Sequence, residues 1–172
     1  MTAPRRPIGE STRWFEDFQP GQLFVTHGRT LRDTDAAIWS MFTGDMHPLH
    51  VDEVAASTHG LFGGRFPPGL MGIAIASGLW ERLGILHGSG LYIDRLTIDY
   101  RSPMLIGTTI RMRAEVAAVR RVEGRERGTV HFTYAIVDAA DAVCAEGDLD
   151  VGVANRPADG VPSIGLVNGS SM

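Results

Sequence analysis

Between Met41 and Ala56 the chain reads Met-Phe-Thr-Gly-Asp-Met-His-Pro-Leu-His-Val-Asp-Glu-Val-Ala-Ala, and here an aspartate, Asp45, and a histidine, His50, stand close together with a proline between them. A free aspartate titrates at about 3.9 and a free histidine at about 6.5. Side by side at neutral pH they form one acceptor and one group able to give or take a proton. That is the minimum equipment for holding a water molecule and moving its protons, worth roughly 10²–10⁴ in rate. Gly44 breaks the amphipathic run before Asp45, as glycine does at many helix ends, and Pro48 cannot continue a helix and biases His47 towards an extended backbone. The two side chains are therefore expected on two sides of a kinked loop that aims both at one point. Spacing alone leaves a second reading open, because Asp and His in loops are common turn-formers and surface groups.

Further residues carry chemistry of other kinds. Gly69 follows Pro67-Pro68 and opens an apolar run. A backbone N–H at a helix start, where dipole and unpaired donors both point, suits a developing negative charge; a glycine needed only for the turn fits the residues equally. Ser77 lies inside the same run, where a serine can simply bond its own helix carbonyl. His47 and His50 form an H-x-x-H pair near Asp45, but a zinc site needs further ligands. His59 is the only nearby candidate and Pro48 breaks the helical spacing, so no metal is expected. Arg65, Arg95, Arg101, Arg111 and Arg113 have the forked donors that suit phosphate, yet arginines on alternating strands usually form the solvated face, and none is assigned to a site.

The elements that must position these groups follow from periodicity. Trp14, Phe15 and Phe18 form an apolar cluster before the Pro20-Gly21 turn, and a first strand is expected from Leu23 to about Thr30. Asp33 or Thr34 can cap a helix holding Ala37, Ile38, Met41 and Phe42, and Asp52 a short one ending near His59-Gly60. Leu70 to Leu83 is apolar nearly all round, the mark of a buried helix. The remainder alternates: Leu91–Arg101, Ile110–Val116, Val130–Ile136 and Val143–Val153, with a charged hairpin tip over Arg120–Gly128 and a turn at Asp138–Asp141. Long alternating strands imply an antiparallel sheet with one wet face, and one buried helix with such a sheet implies an α+β layer structure.

At 172 residues the chain fits one domain and can bury roughly 70% of its unfolded surface. The expected organisation is an arm over residues 1–12, a domain over 13–154 and a fraying Gly-, Pro- and Ser-rich tail over 155–172. With 44% hydrophobic and 21% charged residues the composition is that of an ordinary soluble protein. A net charge of −4 argues against a nucleic-acid partner but leaves room for an anionic ligand met by a local basic patch. The single cysteine, Cys144, permits no internal disulfide and suits a reducing cytoplasm. No apolar stretch has the length of a signal peptide or a membrane span, so a cytoplasmic, membrane-free protein is expected.

The pattern Gly44-Asp45-x-x-Pro48-Leu49-His50, with Ala55 or Ala56 after it, resembles the hydratase motif of the MaoC-like family. The resemblance implies a hotdog fold, an antiparallel sheet wrapped around one long apolar helix, paired into homodimers through sheet edges. It implies a hydro-lyase that adds water to trans-2-enoyl-CoA to give (R)-3-hydroxyacyl-CoA, or runs the reverse dehydration, with no cofactor. On this chain it implies that Asp45 and His50 activate the water, that Gly69 offers its N–H to the thioester oxygen, and that Ser77 supports the pair by hydrogen bonding. Two positions depart from the family: His47 stands where Asn is usual, and Pro68 where His is frequent before the glycine. A hotdog acyl-CoA thioesterase and a non-catalytic acyl-thioester-binding module are the alternatives, separated by thiol release and by the effect of changing Asp45 and His50.

Overall fold

The computed structural model describes residues 12–158. The expected N-terminal arm, apart from Thr12, and the tail beyond residue 158 lie outside the described residues. In chain order the elements are a single 3-10 turn (Phe15–Asp17), β1 (Leu23–Val25), β2 (Arg29–Thr30), α1 (Asp33–Thr43), α2 (Pro48–Val51), α3 (Glu53–His59), α4 (Gly69–Glu81), β3 (Gly90–Leu96), β4 (Asp99–Tyr100), β5 (Thr109–Arg121), β6 (Arg127–Val137) and β7 (Val143–Ala154).

All strand pairings are antiparallel, in the order β1-β5-β6-β7-β3, with β2 also on β5 and β4 also on β7. The alternation sets this register. Val116 stands opposite Phe132, Phe132 opposite Leu149, and Leu149 opposite Leu96, one apolar row across four strands. A slip of one residue would turn that row to solvent. The apolar face closes on α4, which contributes Met71, Ala76, Leu79 and Trp80 to the buried set. Trp80 meets the fully buried Phe132 edge-on at 5.2 Å, and Phe24 and Phe18 complete the aromatic cluster, a geometry in which a positive ring edge meets a negative face. A sheet closed round one long helix is the hotdog arrangement.

Several boundaries differ from the sequence reading. The first strand is broken after Val25 because the buried Thr26 hydroxyl accepts the N–H of Met112 and donates to the carbonyl of His27, so a side chain replaces part of the ladder. Helix α1 is entered from Arg32, not from an Asp33 or Thr34 cap; Asp35 folds back to accept the Arg32 N–H at 2.8 Å. Asp52 does cap α3, accepting from Val54 and Ala55 at 2.9 and 3.0 Å. The strand expected over Leu91–Arg101 carries bulges and splits at Thr97, whose carbonyl accepts the Tyr134 hydroxyl at 2.6 Å and whose own hydroxyl accepts the Asp148 N–H at 2.8 Å. Arg156 grips both carboxylate oxygens of Asp17 at 2.6 Å.

Helix α4 was expected to be wrapped by protein up to its polar end at Glu81, yet in the single chain the stripe Leu70, Ala74, Ser77 and Gly78 is exposed. The edge strand β3 is exposed throughout and carries Leu91, Ile93 and Leu96. Among the described residues no helix is long and apolar enough to cross a membrane.

Candidate active site

Gly44 ends α1 in the left-handed conformation, at φ 75°, with its N–H on the Ser40 carbonyl at 2.9 Å. A side chain there would be strained. The reversal delivers Asp45, whose N–H donates to the Thr43 hydroxyl at 3.2 Å and whose Oδ1 lies 3.4 Å from the N–H of His47. His47 then opens α2: its Nδ1 accepts the Leu49 N–H at 3.2 Å. A ring nitrogen thus does the capping that an asparagine side chain performs at such a position, and Pro48 at the first helical position needs no donor. His50 was expected on the arm of a kinked loop; it lies instead within this single turn of helix.

The turn sets His50 Nε2 facing Asp45 Oδ2 at 4.0 Å. On the other side of the ring, Nδ1 lies 2.7 Å from the carbonyl oxygen of Phe66. A carbonyl only accepts, so Nδ1 carries the proton, and in the neutral ring Nε2 presents its lone pair to Asp45. Two acceptors therefore face each other across a gap too long for a direct bond. A water oxygen at about 2.8 Å from two atoms 4.0 Å apart subtends an angle of about 90°. One water can give a hydrogen to each acceptor and keep its own lone pairs free to attack. Phe66 also packs edge-on against the His50 ring at 5.0 Å, backed by Phe62 at 4.9 Å. His50 is only 14% exposed at its side chain while Asp45 is 39% exposed, so the pair opens on the carboxylate side.

The stretch Phe66-Pro67-Pro68-Gly69 runs from the acceptor of His50 directly into the start of α4. The N–H of Gly69 has no acceptor among the described residues. Tyr100 lies against this glycine: a Cβ there would sit 2.9 Å from the tyrosine oxygen and 3.0 Å from Cζ. The glycine thus leaves room for the close approach of Tyr100. Burial pushes the Tyr100 hydroxyl up from its ordinary value, so it keeps its proton at neutral pH. Phe62, Phe66, Pro68, Gly69 and Tyr100 line one side of a cavity of about 360 Å³.

The structure brings Asp45 and His50 together and links Gly69 to them through Phe66. It does not bring Ser77 to the pair. Ser77 is exposed, makes no side-chain hydrogen bond among the described residues, and lines a different cavity of about 270 Å³ with Ile73, Trp80, Leu96 and Tyr134. No three potential metal ligands converge among the described residues. Of the five arginines, Arg65 pairs with Asp33 and Glu53, Arg101 with Glu146, and Arg111 and Arg113 with Asp141. Arg95 lies on β3 across from Asp150. The Phe66 carbonyl and the Tyr100 ring were missed by the sequence reading. A carbonyl has no residue signature, and Tyr100 reads as one more alternating strand residue.

The model of the MaoC like domain matches residues 17–137. A 3-hydroxybutyryl-CoA dehydratase of Methylorubrum extorquens is 28% identical over 145 residues, covering 83% of this chain and 85% of that protein. Protein MaoC of Klebsiella aerogenes is 31% identical over 101 residues, 59% of this chain; the match spans only 30% of that longer protein. Among solved structures, a MaoC-like dehydratase from Rhodospirillum rubrum superposes with a TM-score of 0.76 at 23% identity, over 84% of this chain and 99% of the other. The family match runs from the end of the 3-10 turn to the end of β6 and so takes in Asp45, His50 and the start of α4: the chain belongs to the MaoC-like domain family.

Proposed function

We propose that the chain is a hydro-lyase acting on acyl-CoA thioesters, adding water to a trans-2-enoyl-CoA to give the (R)-3-hydroxyacyl-CoA or running the reverse dehydration. The observation that carries the reading is the opposition of Asp45 Oδ2 and His50 Nε2 at 4.0 Å with Nδ1 held by the Phe66 carbonyl. The water held by both gives a proton to Nε2 as its oxygen bonds to C3. The electrons of the C2–C3 double bond move to the thioester oxygen, where the Gly69 N–H at the start of α4 stabilises them. The proton then goes from the Asp45/His50 pair to C2 on the same face, the thioester re-forms, and the pair is restored. The activity named for the Methylorubrum relative, on a four-carbon acyl-CoA, supports the substrate class.

The working unit is a homodimer. The bare β3 edge with Leu91, Ile93 and Leu96, and the exposed stripe of α4, are apolar or small surface that a second copy would cover. Unpaired strand edges invite such addition.

The test is a panel of trans-2-enoyl-CoA thioesters of rising acyl length, followed for loss of the enoyl chromophore and for free thiol. Hydration without thiol release, yielding the (R) alcohol, is expected. Thiol release would replace the reading with thioester hydrolysis, and tight binding with neither change would replace it with a binding module.

A further inference from the structure

The segment from Leu61 to Pro68 contains no helix or strand, yet it must hold the Phe66 carbonyl against His50. Its backbone tie to α2 is a single long bond, from the Phe66 N–H to the Leu49 carbonyl at 3.4 Å. The neighbouring side chain does more. Arg65 Nη2 donates to Asp33 at 2.7 Å, Nε to Glu53 at 3.1 Å, and Nη1 to the carbonyl of His50 itself at 3.4 Å. Asp33 is the first residue of α1, the helix that delivers Asp45, and Glu53 is the first residue of α3. One guanidinium thus joins both flanking helices, the turn that carries the base, and the residue next to the base's acceptor.

We infer that Arg65 is a positioning residue: through this three-way tie it keeps the Phe66 carbonyl on His50 Nδ1, and so keeps the lone pair of Nε2 facing Asp45. The tautomer of a histidine is set by the hydrogen bond its other nitrogen makes. In water an unconstrained neutral imidazole favours the proton on Nε2, which here would put a hydrogen where the reaction needs a lone pair. The forked guanidinium suits the task, since an ammonium is a point charge without fixed donor directions. Both carboxylates are well exposed, at 64% and 65%, and exposed pairs contribute little to global stability. The tie acts on local geometry.

The consequence for turnover rests on the proposed hydration; the tautomer does not. Nitrogen-15 NMR of histidine-labelled protein without substrate, with the His50 signals assigned by their loss in His50→Gln, reads the tautomer directly. The native chain at neutral pH should show Nδ1 protonated and Nε2 bare. Arg65→Gln should move His50 towards the Nε2–H form and lower kcat by roughly 10²-fold with a smaller change in KM, the cost of a displaced catalytic group. Arg65→Lys should recover part of both. Asp33→Asn and Glu53→Gln, which keep the arginine and loosen its anchors, should shift the tautomer the same way. An unchanged tautomer in Arg65→Gln, or a raised KM at constant kcat, would overturn the inference. A shifted tautomer in a chain that hydrates no enoyl thioester would leave it standing and remove the hydratase reading instead.

Discussion

Replacing His50 with glutamine removes the Nε2 lone pair that, in the proposed reaction, takes a proton from the water between Asp45 and the ring, while keeping a polar side chain of similar reach. A positioned general base contributes roughly 10²–10⁴ in rate, or about 3–5 kcal/mol of barrier at 1.36 kcal/mol per factor of ten. The fold should persist. What is lost is one hydrogen bond to the Phe66 carbonyl and one edge contact with the Phe66 ring. If the amide fails to reach that carbonyl, the unmet acceptor costs about 1–3 kcal/mol, which at roughly 2–4 °C per kcal/mol for a chain of this size lowers Tm by about 12 °C at most. Steady-state hydration of a short trans-2-enoyl-CoA and a thermal melt on the same preparation read both. Asp45→Asn should fall by a similar factor, and the double variant should be little worse than either, because groups that act as one unit are not additive. His50→Gln retaining more than about a tenth of native kcat would refute proton transfer by this ring, as would a double variant whose losses multiply.

Other outcomes follow from the same geometry. If its N–H holds the oxyanion as proposed, Gly69→Ala should lower kcat by up to roughly 10²–10³, the range for losing one such donor, because its methyl must displace the Tyr100 hydroxyl lying 2.9 Å away; pairing it with Tyr100→Ala should restore the melting temperature. Burial, reinforced by the neighbouring Tyr100, Asp148 and Asp99 charges, pushes the Tyr134 hydroxyl up to about 12 from 10.0. The folded state therefore holds that proton more tightly than the unfolded chain, and the stability it contributes is full below pH 10 and lost as pH rises to about 12. Allowing for solvent in the adjoining cavity, the loss is about 1–2 kcal/mol, and urea melts across that range should be flatter in Tyr134→Phe. Ile93→Lys on β3 should yield monomers in sedimentation velocity if that edge joins two copies.

The parts of the fold that alternate were legible because period-two burial leaves few registers: Ile110, Met112, Ala114 and Val116 all turn inward as read. Asp45 stood out because glycine and proline bracket it, and each has a single mechanical reason to be there. The breaks were not legible. Thr26 and Thr97 interrupt strands through hydroxyls that bond across the sheet, and no local pattern tells such a threonine from one on a wet face. His47 looked like a departure from the family; its ring nitrogen does the capping that an amide does elsewhere, an equivalence visible only once the donor at Leu49 is in place. The exposed stripe of α4 was read as buried, because composition reports how apolar a helix is and not whether its own chain supplies the cover.

The tetrapeptide Phe66–Gly69 divides labour along its loop. Below it, the Phe66 carbonyl lies 2.7 Å from His50 Nδ1 and the Gly69 amide opens α4. Above it, Leu61 is 91% exposed and Gly63 turns freely at φ 74° with open space around it. Phe62 still backs the Phe66 ring at 4.9 Å, but Leu61 and the open turn at Gly63 form a rim on the proposed site. Exchanging or lengthening them should retune which acyl groups are admitted while leaving the bond-making step as it was.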